Sequence, residues 1–175
     1  MSTTTQSNEL DTFFKTWDQE AEKTIKLMRS LPKDKYDFRP DAGARSLGEM
    51  AWHLAELDGY TGFCLEAGTF APDVKVPNLE RPRTVDALAP GYERIHKEAV
   101  ARLLKLKPAD LDRTVTYFMG MQMPIRDVLW GGLLHHAIHH RGQLSLMNRM
   151  AGGKSPGMYG PNREEMAAFK AKAGA

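Results

Sequence analysis

The run Pro124–Met150, PIRDVLWGGLLHHAIHHRGQLSLMNRM, constrains this chain more than any other stretch. It reads as one long helix, and four of the chain's six histidines fall within six consecutive positions of it. Two H-x-x-x-H spacings are interleaved there, His135 with His139 and His136 with His140. Residues four apart on a helix lie one above the other on one face, so either pair can share one metal ion. Periodicity chooses between them. At about 100° per residue, Ile125, Leu129, Gly132, Gln143 and Met147 fall within roughly 60° of one another. His136 lies near the centre of that arc and His140 at its edge. His139 flanks it and His135 is further out, so the inward pair is His136 and His140. An isolated H-x-x-x-H also describes ordinary core or surface histidines. A third ligand on another helix is what distinguishes a site.

The rest of the chain reads as a scaffold for this helix. After a polar start over residues 1–7, Leu10, Phe13, Phe14, Trp17, Ala21, Ile25 and Met28 recur at helical spacing, with Ser7 or Asn8 as the cap and Pro32 as the stop. Ser46-Leu47-Gly48-Glu49 is a capping box that opens a second helix. This helix runs to about Ala67, ends at Gly68, and has the apolar face Met50, Leu54, Leu57, Tyr60, Thr61 and Cys64. His53 lies on that same face, where a histidine is either hydrogen-bonded internally or a ligand. Residues 68–83 form a long loop with three prolines, and long loops are often functional or mobile.

Thr84 is the expected cap of a third helix carrying Leu88, Tyr92, Ile95, Ala99, Leu103 and Leu106, with Pro90-Gly91 kinking it or delaying its start. His96, at the edge of its apolar arc and beside charged neighbours, reads as a surface histidine. Val115, Tyr117 and Met119, then Met121 and Met123, alternate around Gly120 as a short hairpin or an extended loop. Pro124 suits the first turn of helix four. Gly152-Gly153 ends that helix, SPGMYGP crosses one end of the bundle, and Asn162 with Glu165 caps a short last helix continued by the alanine-rich tail.

Four amphipathic segments with little strand signal predict an all-α four-helix bundle with long connections and a short C-terminal helix, one domain over residues 1–175. Lys+Arg 24 against Asp+Glu 22 leaves a net charge of +2, which gives no footprint for nucleic acid or a membrane surface. No apolar run approaches the roughly 18 residues of a membrane span. The polar start MSTTTQSNEL has no secretory pattern. Cys64 is the single cysteine, which excludes an intramolecular disulfide. The expected compartment is the cytoplasm.

Bundles build metal sites from inward-facing side chains on different helices. His53, His136 and His140 would give three nitrogen ligands and leave a position open, as catalytic sites do. Imidazole suits several transition metals, so the ligand set does not select one.

The pieces WHLAELDGY (52–60), HHAIHHRGQL (135–144) and GGKSPGMYGP (152–161), in that order, resemble the DinB-like family of metal-binding four-helix bundles. The resemblance spans nearly the whole chain, and H-x-x-x-H-R-G-Q is its most specific element. It implies ligands at His53, His136 and His140, a divalent ion (zinc or nickel), and leaves His135 and His139 outside the ligand set. It further implies a thiol S-transferase or related thiol-dependent enzyme, whose partners are a small-molecule thiol and an electrophile. The same ion could instead activate water for hydrolysis. The alternative is a non-catalytic metal-binding stress-response protein, in which the metal mainly fixes the bundle, or an interaction module with a vestigial site.

Around this set, Gln143 projects from the ligand face one turn beyond His140, placed to hydrogen-bond a ligand or a substrate. Arg141 points away from that face, as a structural ion pair would. Glu49 is one turn from His53, but the capping box already accounts for it. Cys64 reads as a buried core thiol. Trp130, Leu134 and Ile138 lie on the face of helix four opposite His136, so that face must also be covered, by the hairpin and tail or by a second subunit. A homodimer is the expectation.

Overall fold

The structure is a computed structural model that describes residues 8–71 and 73–173. The polar start over residues 1–7, with the Ser7 alternative for the first cap, and the last two residues of the tail lie outside the described residues. The architecture is an all-α four-helix bundle, α1 (Glu9–Met28), α2 (Leu47–Ala67), α3 (Leu88–Leu103) and a long α4 over residues 125–150. A two-stranded hairpin and a short α5 (Arg163–Ala173) complete it. No helix among the described residues is long and apolar enough to cross a membrane.

The helix boundaries follow from local chemistry. The Asn8 side chain accepts from the Asp11 amide and caps α1. At α2, the Ser46 hydroxyl accepts from the Glu49 amide while the Glu49 carboxylate accepts from the Ser46 amide. These reciprocal bonds satisfy two otherwise orphaned donors. Gly68 ends α2 with φ 74°, the left-handed conformation that glycine adopts without strain. A tight 3-10 turn, Val85–Ala87, precedes α3, and the Thr84 side chain makes no capping bond. Pro90 falls in the first turn of α3, where its missing amide hydrogen is tolerated. Asn162 and Glu165 form the reciprocal cap of α5.

The hairpin of the sequence reading is present. β1 (Thr114–Thr116) pairs antiparallel with β2 (Gln122–Pro124), Val115 opposite Met123. Its tip turns through Met119 and Gly120, both at positive φ. The loop after α2 is tied down: Trp52 Nε1 donates to the Leu79 carbonyl at 3.1 Å and the Tyr36 hydroxyl donates to the Pro82 carbonyl at 2.6 Å.

The fourth helix is one rod wound in three parts: Ile125–Asp127 α-helical, Val128–His135 as a π-helix, and His136–Met150 α-helical again. Bonding from i to i+5 turns the chain less per residue than an α-helix. The 100° step used for the sequence arc therefore does not hold between Ile125 and His135. Both proposed ligands lie beyond the π stretch, where α spacing does apply.

The core has two apolar clusters. One gathers Leu54, Trp52, Leu88, Tyr92, Leu144 and Met147; the other gathers Phe13, Trp17, Cys64, Leu103, Leu129 and Leu133. On the far face of α4, it is α1 that meets Trp130. Leu134 is buried, the Trp130 ring meets Phe13 edge-on at 5.4 Å, and Trp130 Nε1 donates to Glu9 at 3.1 Å. Part of that face is thus packed within the chain itself, with Trp130 and Ile138 still partly exposed.

Two buried polar clusters lace the helices. Arg141 of α4 is buried against α1, donating to the Glu20 carbonyl at 2.7 Å and pairing with the Glu20 carboxylate, beside the Tyr159 hydroxyl. That is the structural ion pair expected of it. Burial pushes the Glu20 carboxyl upward, but Lys23, Tyr159 and Arg141 outweigh it, and the net shift is downward.

The second cluster corrects the sequence reading. His96 is 7% exposed, not a surface residue. One ring nitrogen, Nδ1, meets Asp58 at 2.7 Å and the other, Nε2, meets Asp18 at 3.0 Å. Asp58, fully buried, also accepts from Trp17 Nε1 at 3.3 Å. Periodicity misassigned His96 because its partners are polar. A buried carboxylate on the neighbouring helix leaves no trace in an apolar pattern.

Candidate metal centre

The capping box fixes where α2 begins, and with it the register that points His53 toward α4. The α-helical part of α4 stacks His136 and His140 at i, i+4, and the three rings converge. The His53 ring centroid lies 6.0 Å from that of His136 and 4.7 Å from that of His140. His136 Nε2 and His140 Nε2 are 2.8 Å apart. One ligand-capable atom from each of the three residues falls within 4.8 Å of the others. All three side chains are half-buried.

Each imidazole is held from behind by its Nδ1. In His53 that nitrogen faces the Glu56 carboxylate at 3.2 Å, in His136 the Gly132 carbonyl at 3.3 Å, and in His140 the Gln143 amide oxygen at 2.7 Å. All three partners are acceptors. They favour the tautomer with the proton on Nδ1, which leaves Nε2 with its lone pair toward the other rings. Partners of this kind orient metal-binding histidines and raise their basicity as ligands.

Burial, first, lowers the pKa of His136 and of His140, and the neighbouring histidines add to the effect. Both stay neutral at neutral pH, the form that binds a metal. A set of three oriented nitrogen donors from two helices fits a divalent ion of the transition series.

A model of the DinB family matches residues 1–173. The chain belongs to the DinB family. Protein YrdA of Bacillus subtilis strain 168, described as uncharacterized, is 34% identical over 163 residues, covering 91% of this chain and 93% of its own. Among solved structures, a DinB-like protein from Bacillus cereus ATCC 10987 superposes with a TM-score of 0.70 at 27% identity, covering 85% of this chain and 97% of its own. The DinB-like protein YjoA of Bacillus subtilis superposes at 0.67 and 22% identity, over 87% and 99%, a likeness of fold.

In this DinB-family bundle the candidates separate clearly. His53, His136 and His140 come together, and Gln143 stands beside them, exposed, with its amide oxygen on His140 and its amide nitrogen donating to His139 Nε2 at 3.2 Å. His139 therefore holds Gln143 in place, while His135 is exposed and its ring lies 6.4 Å from Trp130. Glu49 stays with its cap and with Arg39, which, ahead of the Ser46 amide, holds its carboxyl down at about 2. Cys64 is buried among apolar side chains, as expected.

Glu56 was missed by the sequence reading. Its signal was available, since residues three apart on a helix are neighbours and a carboxylate at that offset from His53 can reach the ring. Gly132 entered that reading only as an apolar position, and its carbonyl could not be anticipated as a partner of His136.

Proposed function

We propose that this DinB-family protein carries a divalent ion, zinc or nickel, on His53, His136 and His140, and works as a metal-dependent thiol S-transferase. The observation that supports this most is the convergence of three Nε2 lone pairs whose Nδ1 positions are already engaged by Glu56, Gly132 and Gln143. When bound, the ion supplies Lewis acidity that brings the proton loss of a thiol or a water toward neutral pH.

The chain's own residues do the rest. The acceptors behind the three rings fix their tautomers and aim, and burial keeps His136 and His140 neutral. With three protein donors in the group among the described residues, a coordination position is left for a reactant. Hydrolysis would use the same position for water. The second reading, a non-catalytic metal-binding stress-response protein, is favoured by the position of the ligands on two separate helices, which an ion would cross-link.

The test is metal content of natively purified protein, followed by turnover with a low-molecular-weight thiol and monochlorobimane. Conjugation that a chelator abolishes, while the far-ultraviolet helical signal survives, supports the transferase. Bound metal without turnover across a thiol and electrophile screen favours the second reading. Turnover that persists in the metal-free protein contradicts the metal mechanism.

A further inference from the structure

Tyr117, carried on the hairpin, packs against α4 at Gly132. Its hydroxyl lies over Gly132: a methyl group built there would sit 2.8 Å from the phenol oxygen. Gly132 is one turn before His136 and holds that ring through its carbonyl. Among the described residues the Tyr117 hydroxyl has no hydrogen-bond partner, and burial, with Cys64 nearby, pushes its pKa up, so it remains a donor.

The ring of Tyr117 meets Phe70 at 4.9 Å, and Phe70 meets Tyr60 at 5.9 Å. Tyr60 lies two turns beyond His53 on the same face of α2. Phe70, Tyr117 and Met119 line a cavity of about 510 Å³ between the hairpin and the chain leaving α2, a size that suits a small molecule. Tyr117 thus joins an aromatic-walled cavity to Gly132, whose carbonyl holds His136.

We infer that Tyr117 is a substrate-binding residue of this centre. Its hydroxyl donates to a carbonyl or similar acceptor on a flat, apolar electrophile whose body rests against Phe70, Tyr117 and Met119. Aromatic walls favour a flat apolar body, and the unpartnered phenol requires an acceptor when the ligand displaces water from it. This names the substrate class of the site proposed above and rests on that reading.

The test is equilibrium binding, which needs no turnover. The full-length protein as purified is titrated with syn-(methyl,methyl)bimane, a flat, carbonyl-bearing and unreactive fluorophore. Wild type should bind saturably. Tyr117→Phe, which keeps the ring, should bind about 3–10-fold more weakly, and Tyr117→Leu more weakly still. Phe118→Ala, exposed at the hairpin tip, should bind as wild type does. Metal per chain and helicity should be equal in all four. No saturable binding by wild type, or equal affinity in Tyr117→Phe, overturns the inference. Bimane binding without monochlorobimane turnover would remove the transferase reading and leave the role of Tyr117 standing.

Discussion

His136 and His140 present Nε2 to Nε2 across 2.8 Å. With Nδ1 of each ring directed at an acceptor, both nitrogens would offer lone pairs to the same space. Two lone pairs at that separation repel unless a proton or a cation lies between them. His53 approaches the same space from α2, and burial disfavours the proton on either partner. The arrangement favours a cation, and the partners behind the rings keep it in register.

Those partners make the first prediction. Gln143→Ala removes the acceptor on His140, and Glu56→Ala removes the one on His53. Each should weaken metal binding about 10–100-fold and leave unfolding of the metal-free protein nearly unchanged, since Gln143 is exposed and Glu56 partly so. Competition against a chromophoric chelator reads the affinity. Unchanged affinity in both variants would mean that the rings are held by packing alone.

The buried His96 gives a pH dependence with a definite sign. Burial pulls its pKa down, but Asp58 and then Asp18 outweigh this, and the net shift is upward. A raised folded pKa contributes stability that is fully present below the unfolded value of about 6.5 and is lost as pH rises through the folded value. His96→Gln should therefore cost about 3–5 kcal/mol at pH 6, where it leaves Asp58 buried without its charge partner, and clearly less at pH 9. Urea unfolding of both proteins at the two pH values measures it. A gap independent of pH would show that the imidazole is neutral in the folded state.

Leu134 separates a core position from an interface. It is 1% exposed within one chain. Leu134→Glu would remove a packed leucine and place a carboxylate in the apolar cluster, at a cost of about 3 kcal/mol or more. The expected result is a lowered unfolding midpoint at any protein concentration. A stable variant whose only change is a smaller mass in light scattering would instead place Leu134 at a subunit interface.

Gly48 tests the packing that aims α2. A methyl group at this position would lie 2.3 Å from the Tyr36 ring, which is pinned through its hydroxyl to Pro82. Gly48→Ala should destabilise the fold by about 1–3 kcal/mol, the ordinary cost of overpacking. Thermal unfolding checks this, and a wild-type midpoint would mean that the Tyr36 loop yields freely.

The parts of this molecule that sequence reveals are those governed by local rules. Ser46 with Glu49 and Asn162 with Glu165 are caps whose chemistry lies within four residues, and both form as read. His53 was identified from the α-helical face of α2, and His136 with His140 from the i, i+4 spacing that holds from His136 onward. The π stretch Val128–His135 was invisible, since i to i+5 bonding is a choice of winding that apolar periodicity does not record. The cover over Trp130 came from α1 because helix packing, not pattern, decides which neighbour fills a face. His96 and Asp58 meet across 38 positions of sequence, and nothing local to either residue announces the other.

Metal per chain is the most direct measurement of the central claim. Wild type and five single variants are purified natively and dialysed against a weak chelator. Metal is then determined by mass spectrometry, and helicity by circular dichroism. His53→Ala, His136→Ala and His140→Ala should each lose most of the metal, because each removes a nitrogen donor. His135→Ala and His139→Ala should retain it, with His139→Ala slightly weakened through Gln143. Equal loss in His135→Ala and His136→Ala, or full occupancy in His53→Ala, would contradict a centre built by α2 and α4 together.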